Sequence, residues 1–128
     1  MKTLFLADLQ NKSEKEIKDY IAEEYETDRK ALDNFSFLIA YESVGSWGCD
    51  SASFFLVRDK TTGALFGVRG SHCSCCGFEG QWELESVELA VLQMCAKKSE
   101  TRIFMGGYDE DAEKNQKAIK EYILKMRR

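Results

Sequence analysis

The stretch that most constrains this chain covers residues 70–82. Three of the five cysteines and the only histidine fall within residues 72–76. Thiolate and imidazole are the ligand types that zinc prefers, and a small tetrahedral centre needs them close together on a constrained loop. Glycines at positions 70, 77 and 80 flank the cluster. The expectation is a zinc site on this loop, with the remainder of the chain as its scaffold.

Length and composition fit a scaffold of that kind. A chain of 128 residues with 44% hydrophobic and 31% charged residues is expected to form a single globular domain spanning residues 1–128. Its formal net charge of −4 argues against a sequence-tolerant nucleic-acid binder, which needs a basic footprint. Direct nucleic-acid binding is therefore not expected. The apolar run at residues 3–7 is too short for a signal peptide and ends at Asp8. No stretch approaches the roughly 20 apolar residues of a membrane span, so no membrane partner is expected. An odd number of cysteines fits a cytoplasmic chain, where Cys/His clusters bind metal more often than they form disulfides.

Local signals lay out the elements. Ser13 and Glu16 have the spacing of a capping box. Ile17, Tyr20, Ile21, Ala31, Leu32 and Phe35 recur at helical spacing, predicting one helix or two end-to-end helices over residues 13–33, with a break near Thr27. A short strand or extended arm is expected at residues 3–9. Residues 37–41, 54–58 and 64–69 read as strands, the last two joined by a turn at residues 59–63. That hairpin delivers the chain into the cysteine cluster. Beyond Trp82, Ser86 is placed to cap a helix with Val87, Ala90, Val91, Met94 and Cys95 inward. Residues 101–105 read as a fourth strand. Asp109 is placed to cap a last helix carrying Ile119, Tyr122, Ile123 and Met126 on one stripe. The fold class expected is α+β, a mainly antiparallel sheet of three to four strands with helices packed on one face.

Within the cluster, Cys73 and Cys75 are two apart and share a side of an extended backbone. Cys73 and Cys76, followed by Gly77, have the Cys-x-x-Cys-Gly form of a zinc knuckle. The sequence leaves both pairings open. His72 needs a turn to converge on the same ion. If the strands pair around residues 60–63, residues 49–50 fall near residues 72–74. That register recruits Cys49, with Asp50 as a weaker substitute. Glu79 is near enough to bind or to support a ligand. The expected metal set is drawn from Cys49, His72, Cys73, Cys75 and Cys76. Cys95, at helical spacing on an apolar face, is expected to be core. Phe78 and Trp82 are expected to pack over the loop.

Most metalloenzyme classes do not fit. A zinc deaminase wants a His-x-Glu stretch ahead of its Cys-x-x-Cys. A His-Glu-x-x-His protease needs two histidines. Adjacent His72 and Cys73 rarely face each other as a nucleophile pair. A structural site in a chain that is not an enzyme is the reading the residues favour. A metal-dependent hydrolase or nuclease using the cluster with Glu79 or Asp50 remains the alternative from another class.

The string Gly70, Ser71, His72, Cys73, Ser74, Cys75, then Gly77, Glu79, Gly80, Gln81 and Trp82 resembles a motif of small proteins encoded by phages and prophages. In those proteins the position of Cys76 is usually aromatic, which favours His72, Cys73 and Cys75 as ligands. Small acidic phage proteins of one domain are often inhibitors of host defence. The chain looks most like a metal-binding anti-CRISPR protein directed at a type II, Cas9-type nuclease. That resemblance implies a host effector protein as partner, in the host cytoplasm, and obstruction of nucleic-acid loading. A zinc-stabilised phage accessory or regulatory protein is the nearer alternative. For an inhibitor of this kind, Glu23, Glu24, Glu26 and Asp28, or Asp109, Glu110, Asp111 and Glu113, are the expected contact patches.

Overall fold

The computed structural model describes residues 2–44, 51–72, 77–98 and 112–127. Within them the chain forms, in order, β1 (Leu4–Ala7), α1 (Glu14–Glu24), α2 (Arg29–Leu32), β2 (Phe35–Val44), β3 (Ser51–Asp59), β4 (Leu65–His72), β5 (Glu85–Val87), α3 (Leu89–Lys97) and α4 (Ala112–Lys125). The five strands make one sheet in the order β1-β2-β3-β4-β5. The α+β class holds. The sheet has five strands rather than the three to four expected, and it is mixed: β2 to β5 pair antiparallel, while β1 runs parallel to β2. A parallel neighbour needs a crossover connection, which α1 and α2 supply.

Helices pack on both faces of this sheet, which corrects the expectation of one. Phe54-Phe55-Leu56-Val57 is an unbroken apolar run, and successive strand residues point to opposite faces. Phe55 and Val57 join Ile17, Ile21 and Leu32 of the first two helices in one core. Phe54 and Leu56 join Leu92 and Ala96 of α3 and Ile119, Ile123 and Met126 of α4 in a second. A strand apolar on both sides demands cover on both.

The local signals hold where chemistry is local. The Ser13 amide donates to Glu16 Oε1 at 3.1 Å, and the Glu16 amide donates to Ser13 Oγ at 3.1 Å. The break near Thr27 is present: α1 ends at its C-cap Tyr25, Glu26 has a φ of 53°, and Asp28 caps α2. In the hairpin turn, Asp59 Oδ1 accepts from the Thr61 and Thr62 amides at 2.7 and 3.1 Å. Those bonds hold the Asp59 carboxyl below its ordinary value.

Two expectations around α3 are corrected. Ser86 does not cap the helix. It pairs with Phe66 as part of β5, and the helix begins only after the extended residue Glu88. With the start displaced, the face on the sheet runs through Leu92 and Ala96, while Val91 and Met94 are 47% and 52% exposed. Cys95 is half-buried at the margin of that face, not in the core. The helix is apolar on more than one side, so periodicity alone had no way to choose. On α4, Ile119, Ile123 and Met126 are buried as expected, with Tyr122 partly so. The strand expected at residues 101–105 and the cap expected at Asp109 lie outside the described residues.

One irregularity in β2 decides what reaches the first core. The β2–β3 register shifts between Phe37 and Ile39: Phe37 pairs with Val57 and Ile39 with Leu56. Leu38 is the extra residue of a bulge. Phe35 and Phe37 face the first core and Ile39 and Tyr41 the second. The Phe37 amide donates to Glu14 Oε1 at 3.1 Å, fastening α1 to β2 at the irregularity.

Candidate metal centre

β3 starts at Ser51 and β4 ends at His72, and these two residues are cross-strand partners. The hairpin register expected from the sequence is therefore present up to its last rung. Cys49 lies two positions before Ser51, and Cys73 directly follows His72. A chain spans at most about 3.6 Å per residue. The covalent chain thus ties the segment carrying Cys49 and the segment carrying Cys73, Cys75 and Cys76 to the same end of the sheet. Those four cysteines and Asp50 lie outside the described residues, and only the backbone of His72 is described. Among the described residues, no group of three or more His, Cys, Asp or Glu side chains could hold a metal ion.

The two feet of the cysteine loop are described, and they are tied together. The Ser71 amide donates to Gln81 Oε1 at 2.8 Å, and Gln81 Nε2 donates to the Gly77 carbonyl at 3.4 Å. The Gly77 amide donates to Glu79 Oε2 at 3.0 Å. Glu79, expected as a ligand or supporting residue, accepts from that amide through one of its two carboxylate oxygens. It also lies close over Gly77: a Cβ there would stand 2.8 Å from Glu79 Oε1. Gly80, at a φ of 73°, donates its amide to the Tyr25 carbonyl at 3.2 Å, attaching the returning chain to the end of α1.

Phe78 enters the core immediately after the loop. Its ring is buried, and a Cβ on Gly70 would lie 3.0 Å from Phe78 Cδ1 and 2.7 Å from Ser53 Oγ. Gly70 is glycine because the two side chains occupy the space above it. Trp82 covers the same core, 5.9 Å from Phe37 in a stack and 5.4 Å from Phe55. Both aromatic residues therefore close the core beside the loop's feet. Trp47 lies outside the described residues.

A buried polar group adjoins this frame, and no sequence motif pointed to it. Glu42 is only 4% exposed. Tyr20 donates a short hydrogen bond to Glu42 Oε2. The Tyr25 hydroxyl sits 3.3 Å from Glu42 Oε1 and 2.8 Å from Ser53 Oγ. Burial pushes the Glu42 carboxyl above its ordinary value against the two phenols, which pull it down, and Asp8 and Glu24 add to the rise. Burial likewise raises the Tyr20 and Tyr25 hydroxyls, and Glu42 raises both further. The chain from Glu42 through Tyr25 to Ser53 and Gly70 joins the end of α1 to the sheet beneath the loop. The signal was faint: an acidic residue among the apolar residues of a strand, 22 and 17 positions beyond two tyrosines.

The acidic residues at the end of the first helix, Glu23, Glu24, Glu26 and Asp28, are all exposed. Asp28 has a local duty, since its carboxylate accepts from the Lys30 amide at 3.0 Å. No basic residue occupies the last turn of α1. The second acidic patch, residues 109–113, lies outside the described residues except for the backbone at Glu113. Among the described residues no helix is long and apolar enough to cross a membrane.

Compared with protein-family models, curated proteins and solved structures, the chain matches none.

Proposed function

We propose that this chain is a zinc-binding protein without catalytic activity that inhibits a host defence effector, a Cas9-type nuclease, in the cytoplasm of the host cell. The observation that carries the metal half of this reading is the pairing of Ser51 with His72. It supports the reading because the strand ends next to the proposed ligands in sequence (Cys49, His72, Cys73, Cys75 and Cys76) are cross-strand neighbours. Support for a structural ion comes from the donor set, which is thiolate-rich and holds a single imidazole.

The inhibitory half rests on the loop's resemblance and on charge. Glu23 and Glu24 stand at the C-terminal end of α1, where the helix dipole disfavours negative charge. Helix stability does not favour them there. A basic partner would, and Cas9-type effectors hold nucleic acid in positively charged channels. An inhibitor of this form needs only to obstruct that channel.

The test is retention of the protein on an immobilised Cas9–guide complex at low and high salt. Wild type is expected to be retained at low salt and to weaken as salt rises. Charge reversal at Glu23 and Glu24 is expected to reduce retention without changing zinc content. Absence of retention at low salt would remove that effector as the partner.

A further inference from the structure

We propose that the pocket over Gly67 binds a small molecule made of one phenyl-sized ring and a head group that both donates and accepts hydrogen bonds. None of its residues is a proposed metal ligand or part of the acidic end of α1, so its failure would leave both of those readings as they stand. Two reasons for a glycine are met elsewhere in this fold. Gly63 and Gly80 have φ of 78° and 73°, and Gly70 is crowded by Phe78 and Ser53. Gly67 has neither reason. Its φ is not positive, and a Cβ built on it would meet nothing closer than Val87 Cγ1 at 3.7 Å. It nevertheless occupies the interior of β4, where glycine weakens a strand and often marks the close approach of a ligand.

What the missing side chain leaves is space. Leu56, Gly67 and Glu85 are partners across β3, β4 and β5, so their side-chain positions form one row on one face. The gap in that row opens a pocket of about 160 Å³ on the α3 side of the sheet. A cavity of roughly 150 Å³ holds one benzene molecule. Buried Phe54, Leu56 and Leu92, with half-buried Val87, make the walls apolar. Arg69 and Glu85 are exposed and stand at the mouth, with Arg69 Nη2 3.4 Å from Glu85 Oε2.

That pair selects the head group. A ligand carrying one charge would attract one member and repel the other. A neutral amide suits both, since its carbonyl accepts from Arg69 and its N–H donates to Glu85. One ring fills the volume, which excludes nucleotides and polycyclic cofactors.

The probe is benzamide, titrated into the full chain while methyl resonances are followed by NMR, with benzoate and benzylamine as comparisons. Gly67→Ala puts a methyl into the space of the ring. Arg69→Met removes the donor to the carbonyl and keeps an apolar stem. Amide spectra and urea midpoints confirm that each variant is folded.

The expected results are saturable shifts at the Leu56, Val87 and Leu92 methyls and tighter binding of benzamide than of either comparison. Affinity should be at least about tenfold lower in Gly67→Ala, the usual effect of one methyl group in an apolar pocket. Arg69→Met should remove the advantage of benzamide. No saturable shift in wild type, or equal affinity in Gly67→Ala, overturns the site. Shifts confined to the exposed side chains Val91 and Met94 overturn it as well. Benzoate or benzylamine binding as tightly as benzamide overturns the head-group assignment, as does a preference for benzamide that survives in Arg69→Met.

Discussion

Phe78 lies flat against Tyr25, with ring centroids 4.8 Å apart and planes within 7° of parallel. Tyr25 is the C-cap of α1, and Phe78 is the second described residue after the cysteine loop. The stack therefore joins the first helix to the loop's return path. Gly70 also sits close to Phe78: a Cβ there would lie 3.0 and 3.2 Å from two of its ring carbons.

Gly70→Ala is accordingly expected to destabilise the fold by about 1–3 kcal/mol, the usual cost of overpacking a filled site. Gly67→Ala, three residues away in the same strand, is the control. Its new methyl would meet nothing closer than Val87 Cγ1 at 3.7 Å. That variant should be neutral or slightly more stable. Urea denaturation of the two variants checks the pair, and equal midpoints would contradict the packing described.

The Glu42 network predicts a pH dependence. Its folded carboxyl lies above the ordinary value of 4.5. A group raised on folding contributes stability that is complete below the unfolded value and is lost as pH rises through the folded one. Stability should thus decline on the alkaline side of 4.5, by ionisation of a buried carboxylate beside two phenols. Glu42→Gln keeps an acceptor for Tyr20 and cannot ionise. It should flatten that limb of the profile, measured as urea midpoint against pH. A profile unchanged by the substitution would show that Glu42 is not the group responsible.

Zinc content tests the loop chemistry directly. Purified protein should carry close to one zinc per chain, and metal removal should lower the melting temperature, since structural zinc contributes folding free energy. Cys73→Ser and Cys75→Ser should each lose the metal. Cys95→Ser should retain it, because Cys95 lies on α3 as a free thiol. Elemental analysis of the three variants decides the matter, and zinc retained by both loop variants would mean the ligands lie elsewhere.

The orientation of α3 is open to a simple contrast. Leu92→Ala should cost about 2–5 kcal/mol, as large-to-small changes in cores do. Met94→Gln, on the exposed side, should stay within about 0.5 kcal/mol of wild type. Thermal or chemical melts of the two variants suffice. The reverse order would restore the helix face expected from sequence periodicity.

The features legible in the sequence were those whose causes are local. The capping box at Ser13 and Glu16, the Asp59–Gly63 turn and the strand pairing around it each depend on residues a few positions apart. The parallel placement of β1 on β2 depends on contacts across some thirty-five positions, and nothing local encodes it. Cover on both faces was written in Phe54-Phe55-Leu56-Val57, but only if that run is read as buried on two sides. Glu42 was hidden by the bulge, since alternation counted from Phe35 and Phe37 sends residue 42 to the other face. For the cysteine loop, the sequence offers the donor set and the structure describes the strand ends and the hydrogen-bonded feet beside it; Cys49, Cys73, Cys75 and Cys76 themselves lie outside the described residues.

Leu38 gives β2 something like a reading frame. Upstream of it the ladder counts in one phase with β3, and downstream it counts one residue later. Removing Ala40 would let Leu38 take up the slack opposite Leu56, but Ile39 would then stand opposite Phe55, in the first-core position now held by the smaller Ala40. Removing Leu38 itself would bring the two halves into one phase. Phe37 would stay opposite Val57, Ile39 opposite Leu56, and Glu42 beneath the tyrosines. The extra residue is therefore where β2 can be shortened with every paired position keeping its own side chain.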